Sequence, residues 1–600
     1  MIQFHSNEKR DLSRIDYSVA GSYYYLTEDY FKRILKLTPF YTGEMTNMSD
    51  MSFYVQLLKN GEPTRYHYYG DVGSLRIIEP TVYADIAFAN DDFFRIRGFR
   101  GAGVRLDLES NSAGRGAAAL ESIARLKDGI WEGVFGKHGY MRFVAIKGSI
   151  EVKAEYDYEN GKYACLQISF LPDEDGVFEA AAHTYFDRFT APEAYPAFDD
   201  IRKANIDSFN DFYKHYRNLP LKEYGQLIED TIFVTWSHVM RDKGFMKTPM
   251  IMMHHNALAC AMSWQLAYNG MAFQNDPVEA FRLIETMFLY QTPVSGALPG
   301  SVAPGSVGDD KMQAPLQGCA LNLITRLCGE DFITAEMAES LLPKFIRWTE
   351  FWTTFRNVGR GDDLIAINNP NESGWDDAST FKRGFPASNS DTIALLIECM
   401  YACSTLARRA GKPDVEAHWK ERGDKLFNIL IEEFWDGTQF VTKKNGENVD
   451  SNSLASYIPI ILADKLPQHI IDKCAEVLTE EGHFLSPNGL CSESMKSDLC
   501  HWGFHFVLGR IVAPQQMFIT VGLYLAGKKE EAKLIARRWC DTVEERGLRL
   551  GFHPYNEYPL TGEPHDVLIQ PVIGDSWSWC GWSACSTMNM LQIIFGDEEQ

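Results

Sequence analysis

From about residue 205 to its end, the chain has the apolar spacing of amphipathic helices. Apolar residues recur at steps of three and four, as in Ala532, Ile535 and Trp539. Start signals accompany several stretches, such as Thr334 ahead of an acidic first turn. The pattern predicts twelve helices, at 224–242, 254–270, 277–290, 315–328, 334–357, 389–411, 413–434, 450–463, 467–480, 511–526, 528–546 and 577–595.

The first 205 residues instead show the short runs that are typical of β-strands. Runs rich in β-branched and aromatic residues occupy 52–58, 75–78, 140–146, 151–158 and 163–170. Asn60-Gly61 and Asn160-Gly161 are hairpin signals, because Asn and Gly tolerate positive φ angles. We therefore predict an antiparallel β-sandwich, with helical interruptions near 27–37 and 116–126.

These two patterns predict a mainly α protein in two parts. Residues 1–205 form the N-terminal β-sandwich and residues 206–600 the helical domain, since the chain is too long for one ordinary core. Twelve helices joined pairwise fit an (α/α)6 toroid. An irregular α-solenoid is the alternative, although the sequence has no repeating period. The long stretches 358–388 and 547–576 lie between predicted helices, where ordered loops are usually functional.

Composition and charge restrict the class of partner. Hydrophobic residues make up 45% of the chain and charged residues 23%, which is typical of a soluble globular protein. The formal net charge of −23 argues against a nucleic-acid groove and favours a neutral small molecule. No run of apolar residues is long enough to predict a membrane span. Without a visible secretory signal or CxxC pairs, a cytoplasmic protein is expected, and homo-oligomerisation is left open.

Two acidic segments lie in the two long stretches between helices. In residues 369–378 three carboxylates surround a Gly-Trp pair, and residues 555–563 hold two more glutamates. Cleavage of a glycosidic bond needs one acid that protonates the leaving oxygen and a second carboxylate that activates water. An exposed indole could stack on the apolar face of a sugar ring, and Trp375 suits that role and a core position equally. The two segments therefore predict a site that cleaves a carbohydrate.

Several motifs resemble those of the glycoside hydrolase clan that contains family 63 and the family 37 trehalases. Glu372-Ser373-Gly374-Trp375-Asp376 matches the ESGWD motif of those enzymes. Segments similar to their SQPPVGA, PIWAP and GL, and closing FGWTG elements follow in family order, at 311–318, 511–514, 521–523 and 576–583. The resemblance implies an (α/α)6 catalytic domain that hydrolyses a small α-linked glycoside, a glucoside or a related hexoside.

The same resemblance implies roles for individual residues. Asp376 would be the general acid, with Asp377 as the alternative, and Glu557 the base of an inverting reaction, with Glu563 as the alternative. Neither a cofactor nor a metal is needed, and the partner would be a small carbohydrate. The candidates for substrate binding are Glu372, Trp375, Asp377, Gln313, His255, Asn256, Trp502, Glu563 and Trp579.

The chain departs from the family pattern at positions that bear on the substrate. The base segment is two residues shorter before Pro559, residues 252–256 stand where relatives have a WWD element, and the Arg and Trp of a WRGPIW segment are not matched near 508–512. These departures indicate a changed sugar subsite. They also leave a non-catalytic sugar-binding protein as an alternative. A glycoside phosphorylase and a sugar epimerase are further alternatives, because (α/α)6 toroids also house these enzymes. Motifs of serine hydrolases, zincins and nucleotide-binding proteins do not occur in the sequence.

Overall fold

A computed structural model gives the structure of the chain. The residues that it describes are 2–6, 8, 10–29, 32–40, 52–109, 119–136, 139–185, 192, 194–217, 219, 223–255, 258–308, 311–501, 507–555 and 580–595. Within them, long strands fill the first third of the chain and helices dominate the remainder. This order agrees with the change in hydrophobic pattern near residue 205.

The N-terminal part consists of two antiparallel sheets. Its strands are β1 Gln3–His5, β2 Tyr24–Asp29, β3 Ile34–Pro39, β4 Phe53–Lys59, β5 Glu62–Thr64, β6 His67–Asp71, β7 Ser74–Ile78, β8 Tyr83–Phe88, β9 Phe93–Phe99, β10 Ala102–Glu109, β11 Ser122–Lys127, β12 Ile130–Val134, β13 Tyr140–Lys147, β14 Ser149–Asp157, β15 Lys162–Leu171 and β16 Phe178–Tyr185. One sheet has the order β1-β6-β7-β8-β9-β16-β13-β12-β11, and the other has β14-β15-β10-β4-β3-β2 with β5 beside β4.

The two sheets bury their apolar faces against each other. Along β4, Phe53, Val55 and Leu57 are buried and alternate with partly exposed residues, as expected for a half-buried strand. The Phe53 ring lies 6.1 Å from that of Phe143 on β13, which belongs to the other sheet. The predicted antiparallel β domain is therefore confirmed.

The turn chemistry explains where the hairpins form, and it also explains an error. Asn60 and Gly61 have φ angles of 53° and 83° and join β4 to β5, which confirms that hairpin. The predicted helix at 27–37 is wrong, because β2 and β3 occupy it as a hairpin that turns through Arg33 at φ 54°. Near 116–126, the described residues from Ser122 form β11 instead of a helix, and 116–118 lie outside the described residues.

The remainder of the described chain is mainly helical. Its α-helices are α1 Phe198–Phe212, α2 Gly225–Ser237, α3 Ser263–Ala272, α4 Pro277–Thr286, α5 Leu316–Cys328, α6 Ala335–Phe355, α7 Ser390–Arg409, α8 Pro413–Phe434, α9 Gln468–Leu478, α10 Ala513–Leu525, α11 Lys529–Arg546 and α12 Gly581–Phe595. The 3₁₀ helices are Tyr213–His215, Met287–Tyr290, Pro370–Glu372, Ser379–Phe381 and Leu454–Lys465. The short strands are Val239–Met240, Met250–Ile251, Ala261–Met262, Ser301–Ala303, Ser306–Gly308, Ser388–Asn389, Thr442–Lys444, Glu447–Val449, Leu485–Ser486, Gly489–Leu490, Ile511–Val512 and Gly551–Phe552.

A helix is present at each of the twelve predicted positions, with three differences of detail. The helix predicted at 254–270 begins only at Ser263, because the residues before it pair as a short strand with Ser301–Ala303. The helix predicted at 450–463 is the 3₁₀ helix Leu454–Lys465, which contains Pro459, a residue without a backbone donor. In addition, α1 crosses residue 205, where the two parts were predicted to meet.

Six of the helices contact one another in succession. α3 packs on α5, α5 on α7, α7 on the 3₁₀ helix Leu454–Lys465, that helix on α10, α10 on α12, and α12 on α3. The other helices lie beside this set, with α4 against α3, α6 and α8 against α7, and α11 against α10. Most residues of α7 are buried, since neighbours surround it. The loops that precede these six helices contain the ESGWD motif, ahead of α7.

The N-terminal sheets pack against the first helices through specific contacts. The Tyr23 hydroxyl donates a hydrogen bond of 2.6 Å to the Arg241 carbonyl, and the rings of Phe4 and Phe233 lie 5.1 Å apart. Arg10 pairs with Asp230 of α2 at 2.6 Å. The strands thus share a continuous apolar core with the helices. No helix of the described chain is long and apolar enough to cross a membrane.

Candidate active site

The ESGWD motif lies in residues 356–389, between α6 and α7, which we call the acid loop. Asn369 caps the 3₁₀ helix Pro370–Glu372, since its side-chain oxygen accepts a 3.0 Å hydrogen bond from the Asn371 amide. Ile367 and Ala387 exchange backbone hydrogen bonds and close the base of the loop. The loop is therefore an ordered structure held at its neck.

Glu372 fixes the first half of the acid loop from within. Its carboxylate is 1% exposed and receives two hydrogen bonds from the Arg356 guanidinium, at 2.8 and 2.7 Å. The Asn368 amide and the Asn369 side chain donate to the same two oxygens, at 3.1 and 3.0 Å. Glu372 was predicted to bind substrate, but the structure places it beneath the loop with both oxygens engaged.

Gly374 allows an indole to pack directly on the loop backbone. Its φ is +80°, and a Cβ at this position would lie 1.9 Å from the ring of Trp264. Trp264 stands in the first turn of α3, where its amide donates to the Gln313 side chain at 3.2 Å, and its ring meets Trp582 edge-on at 5.0 Å. Gln313, a predicted site residue, therefore positions the start of α3.

Trp264 is a site residue that the sequence reasoning missed. The family element expected early in the helical domain was matched to residues 252–256, before α3, although Trp264 lies in its first turn. The only signal in the sequence is an aromatic residue close to a helix start. Trp375 suited a binding surface and a core position equally from the sequence, and it is only 4% exposed and packs in the core. Trp264 is thus the indole that contacts the acid loop at Gly374.

Asp376 is the exposed carboxylate of the motif. Loss of hydration raises the pKa of Asp376 above its ordinary value, the Asp377 carboxylate raises it further, and the Lys311 ammonium acts in the opposite direction. The Glu372 carboxylate, by contrast, is paired with the Arg356 guanidinium. Lys311 was not identified as a site residue from the sequence.

Asp377 faces a different segment of the chain. Its carboxylate accepts a 2.7 Å hydrogen bond from the Val507 amide, so it links the acid loop to the segment before α10.

His255 is buried between the two parts of the protein, where its ring stacks on that of Tyr25 and its centroid lies 4.2 Å from that of His238. It does not contact the acid loop in the described structure. The predicted residues outside the described structure are Asn256, Trp502, Glu557, Glu563 and Trp579.

The described part of the site can supply a proton donor. Asp376 combines access to solvent with a raised pKa, which suits a proton donor. The neighbouring indole of Trp264 adds an aromatic surface of the kind that sugars contact. No group of three His, Cys, Asp or Glu side chains within the described ranges is arranged to hold a metal ion.

Comparison with known proteins gives one family match. The model of the mannosylglycerate hydrolase MGH1-like glycoside hydrolase domain matches residues 258–579, which is more than half of the chain. The match includes the acid loop, Trp264 and Gln313. No curated protein matches the chain in sequence.

The solved structures that are similar to this chain are distant in sequence. A bacterial glucoamylase complexed with acarbose has a TM-score of 0.58 at 9% identity and covers 97% of this chain and 94% of its own. A sialidase has a TM-score of 0.51 at 11% identity, over 88% of this chain and 55% of its own. A GH63 mannosylglycerate hydrolase from Thermus thermophilus in complex with glucose has 0.49 at 16%, over 60% and 99%. The glucoamylase similarity concerns the fold alone.

The ion pair beneath the acid loop gives a prediction about stability. Glu372→Gln leaves the Arg356 guanidinium without its anion, so we expect the free energy of unfolding to fall by about 3 kcal/mol. Glu447→Gln is the matched control, because Glu447 pairs with Arg383 at 2.8 Å on the surface and should lose less than about 1 kcal/mol. Urea denaturation measures both changes. Equal losses in the two variants would show that the Glu372 pair does not hold the loop.

Proposed function

The chain belongs to the family of mannosylglycerate hydrolase MGH1-like glycoside hydrolases and is a glycosidase, and we propose that it cleaves a small α-linked glycoside, a glucoside or related hexoside, with inversion of configuration. The observation that carries the proposal is Asp376, an exposed carboxyl group with a raised pKa on an otherwise buried motif. A group of this kind is suited to donate a proton to the glycosidic oxygen.

Several contacts support Asp376 as the general acid. Glu372 and Trp375, its neighbours in the motif, are buried and hold the backbone on its N-terminal side, while Asp377 accepts from the Val507 amide on the other side. The side chain between these anchored residues remains free to meet a substrate. Protonated Asp376 donates to the leaving oxygen as the bond to the anomeric carbon breaks, and the resulting carboxylate is stabilised by the nearby Lys311.

Water would be activated from the opposite face of the sugar. We assign this role to Glu557, with Glu563 as the alternative, on the basis of the family motif alone, because both lie outside the described residues. An inverting pair of carboxyl groups stands about 6.5 to 9.5 Å apart, which leaves room for the water, whereas a nucleophile would stand about 5 to 5.5 Å away. Asn256, Trp502 and Trp579 remain candidates for contacts to the sugar.

The helix contacts support an (α/α)6 toroid as the catalytic domain. In this proposal α3, α5, α7, the 3₁₀ helix Leu454–Lys465, α10 and α12 form the inner ring, since each contacts the next and α12 contacts α3. The acid loop precedes α7 and Trp264 begins α3, so both lie at the same end of the ring. The N-terminal sheets, residues 1–205, would flank this domain through the contacts at Tyr23 and Phe4.

The most direct test of the acid is its removal. We expect Asp376→Asn to lower kcat/KM for an unactivated disaccharide by about 10²- to 10⁴-fold, because the leaving oxygen no longer receives a proton. An aryl glycoside with a good leaving group should lose much less. Turnover is followed in phosphate-free buffer, so that water is the acceptor and phosphorolysis cannot contribute. Near-normal disaccharide cleavage by Asp376→Asn would move the role to Asp377 or end the proposal.

The two charges next to Asp376 predict opposite shifts in the pH profile. The protonated acid is the active form, so kcat/KM falls as pH rises through its pKa. Asp377→Asn removes a charge that raises this pKa, and the alkaline limb should move to lower pH. Lys311→Met removes a charge that lowers it, and the limb should move to higher pH. Two shifts in the same direction, or none, would contradict the assignment of the acid.

A further inference from the structure

A buried glutamate connects the acid loop to the segment before α10. Glu493 is fully buried, and its two oxygens each receive one serine hydroxyl. Ser379 donates to one oxygen at 2.7 Å, and Ser497 donates to the other at 2.8 Å. Ser379 lies three residues after Asp376 and begins the second 3₁₀ helix of the acid loop, whereas Ser497 belongs to the segment itself. The carboxylate therefore bridges two parts of the chain that are distant in sequence.

The hydrogen bonds around Glu493 have a fixed direction. A serine hydroxyl has one proton, and that of Ser379 is used on Glu493, so Ser451 must donate to Ser379 across their 2.7 Å contact. The Ser451 oxygen in turn accepts from the Ser453 amide at 3.2 Å. This chain runs from a backbone amide through two hydroxyls to the carboxylate. Such a chain holds Ser379 in one rotamer and in one place.

Asp377 provides a second attachment to the same segment. Its oxygen accepts from the Val507 amide, so the acid loop is joined to Val507 at Asp377 and to Glu493 at Ser379, just after Asp376. The segment is braced in its turn, because the Ser492 amide donates to the Arg510 carbonyl and the Ser492 hydroxyl accepts from Gly509. The attachments lie beside Asp376 and leave its side chain exposed.

Burial raises the pKa of Glu493 above its ordinary value, and the two serine hydroxyls offset this more than the distant Lys382 charge does. No Lys or Arg of the described chain lies within ion-pair distance of its carboxylate, which is satisfied by hydroxyl groups. An apolar residue would fill this place at less cost in stability. A hydroxyl-bonded carboxylate nevertheless fixes the direction of its partners, which an apolar residue cannot do. The geometry thus indicates a role in placing the acid loop.

We propose that Glu493 is a positioning residue for the reaction, which holds Asp376 at the productive distance from the glycosidic oxygen by fixing Ser379. The inference rests on the proposed function of Asp376 as the general acid. Because proton donation depends steeply on distance, a small displacement of the loop lowers the rate of the chemical step while the sugar still binds.

The test compares substrates that need the acid with substrates that do not. Glu493→Gln offers one acceptor instead of two, and we expect kcat/KM for an unactivated disaccharide to fall about 10- to 100-fold. An aryl glycoside with a good leaving group should lose far less, which a merely structural loss of folded enzyme would not produce. Glu398→Gln is the control for loss of a buried carboxylate away from the acid loop, since Glu398 is also buried, accepts from Asn322 and lies further along α7, although Arg326 and Lys465 stand 3.7 and 3.9 Å from it. It should leave the ratio of the two substrates unchanged.

A second pair of variants separates the two bonds of the carboxylate. Ser379→Ala removes the bond to the acid loop and should reproduce the substrate-dependent loss, whereas Ser497→Ala removes the other bond and should change the ratio much less. Combining Ser379→Ala with Glu493→Gln should be no worse than the more damaging single change, because the two residues act as a unit. If Glu493→Gln fails to fold, the two single serine variants still test whether the bond to Ser379 positions the acid loop.

The outcomes distinguish this inference from the proposed function. If Asp376→Asn shows the substrate-dependent loss but Glu493→Gln and Ser379→Ala do not, Glu493 is not a positioning residue and the general acid stands. If Asp376→Asn itself affects both substrates equally, the general acid is misassigned and the role of Glu493 fails with it. An additive loss in the double variant would also overturn the inference.

Discussion

The site depends on the buried ion pair between Glu372 and Arg356. An isolated carboxylate in this position would be costly, and the bidentate guanidinium together with two amide donors satisfies it completely. The pair joins the motif to the end of α6 and engages both oxygens of Glu372. Glu372 therefore has a structural role in the motif, whereas Asp376 is exposed and has a raised pKa.

The contact between Gly374 and Trp264 adds a second constraint. A side chain on Gly374 would collide with the indole, so the motif requires glycine for space as well as for its positive φ angle. The indole in turn is fixed by the start of α3 and by Trp582. The backbone of the acid loop at Gly374 and the packing of Trp264 on α3 therefore depend on each other. This contact couples the position of Asp376 to the surrounding helices.

The sequence predicted the helices well because apolar periodicity reports directly on burial. The prediction of secondary structure failed at 27–37, where a helical and a strand pattern fit the same residues, and it missed that the helix containing Pro459 is a 3₁₀ helix. The sequence could not show that Trp375 is buried, since an aromatic residue in a loop suits both a core and a binding surface. Trp264 and Glu493 reach the acid loop only through the tertiary fold, from positions more than 100 residues away.

The central claim is that this glycosidase uses Asp376 as an acid and activates water with a separate carboxylate. Proton NMR of the sugar first released from α-linked disaccharides of glucose and related hexoses tests it most directly, because each mechanism fixes the anomer. The account predicts that the β-anomer appears first and that the α-anomer grows only by mutarotation. Initial release of the α-anomer would mean retention and a nucleophilic carboxylate, and it would contradict the account.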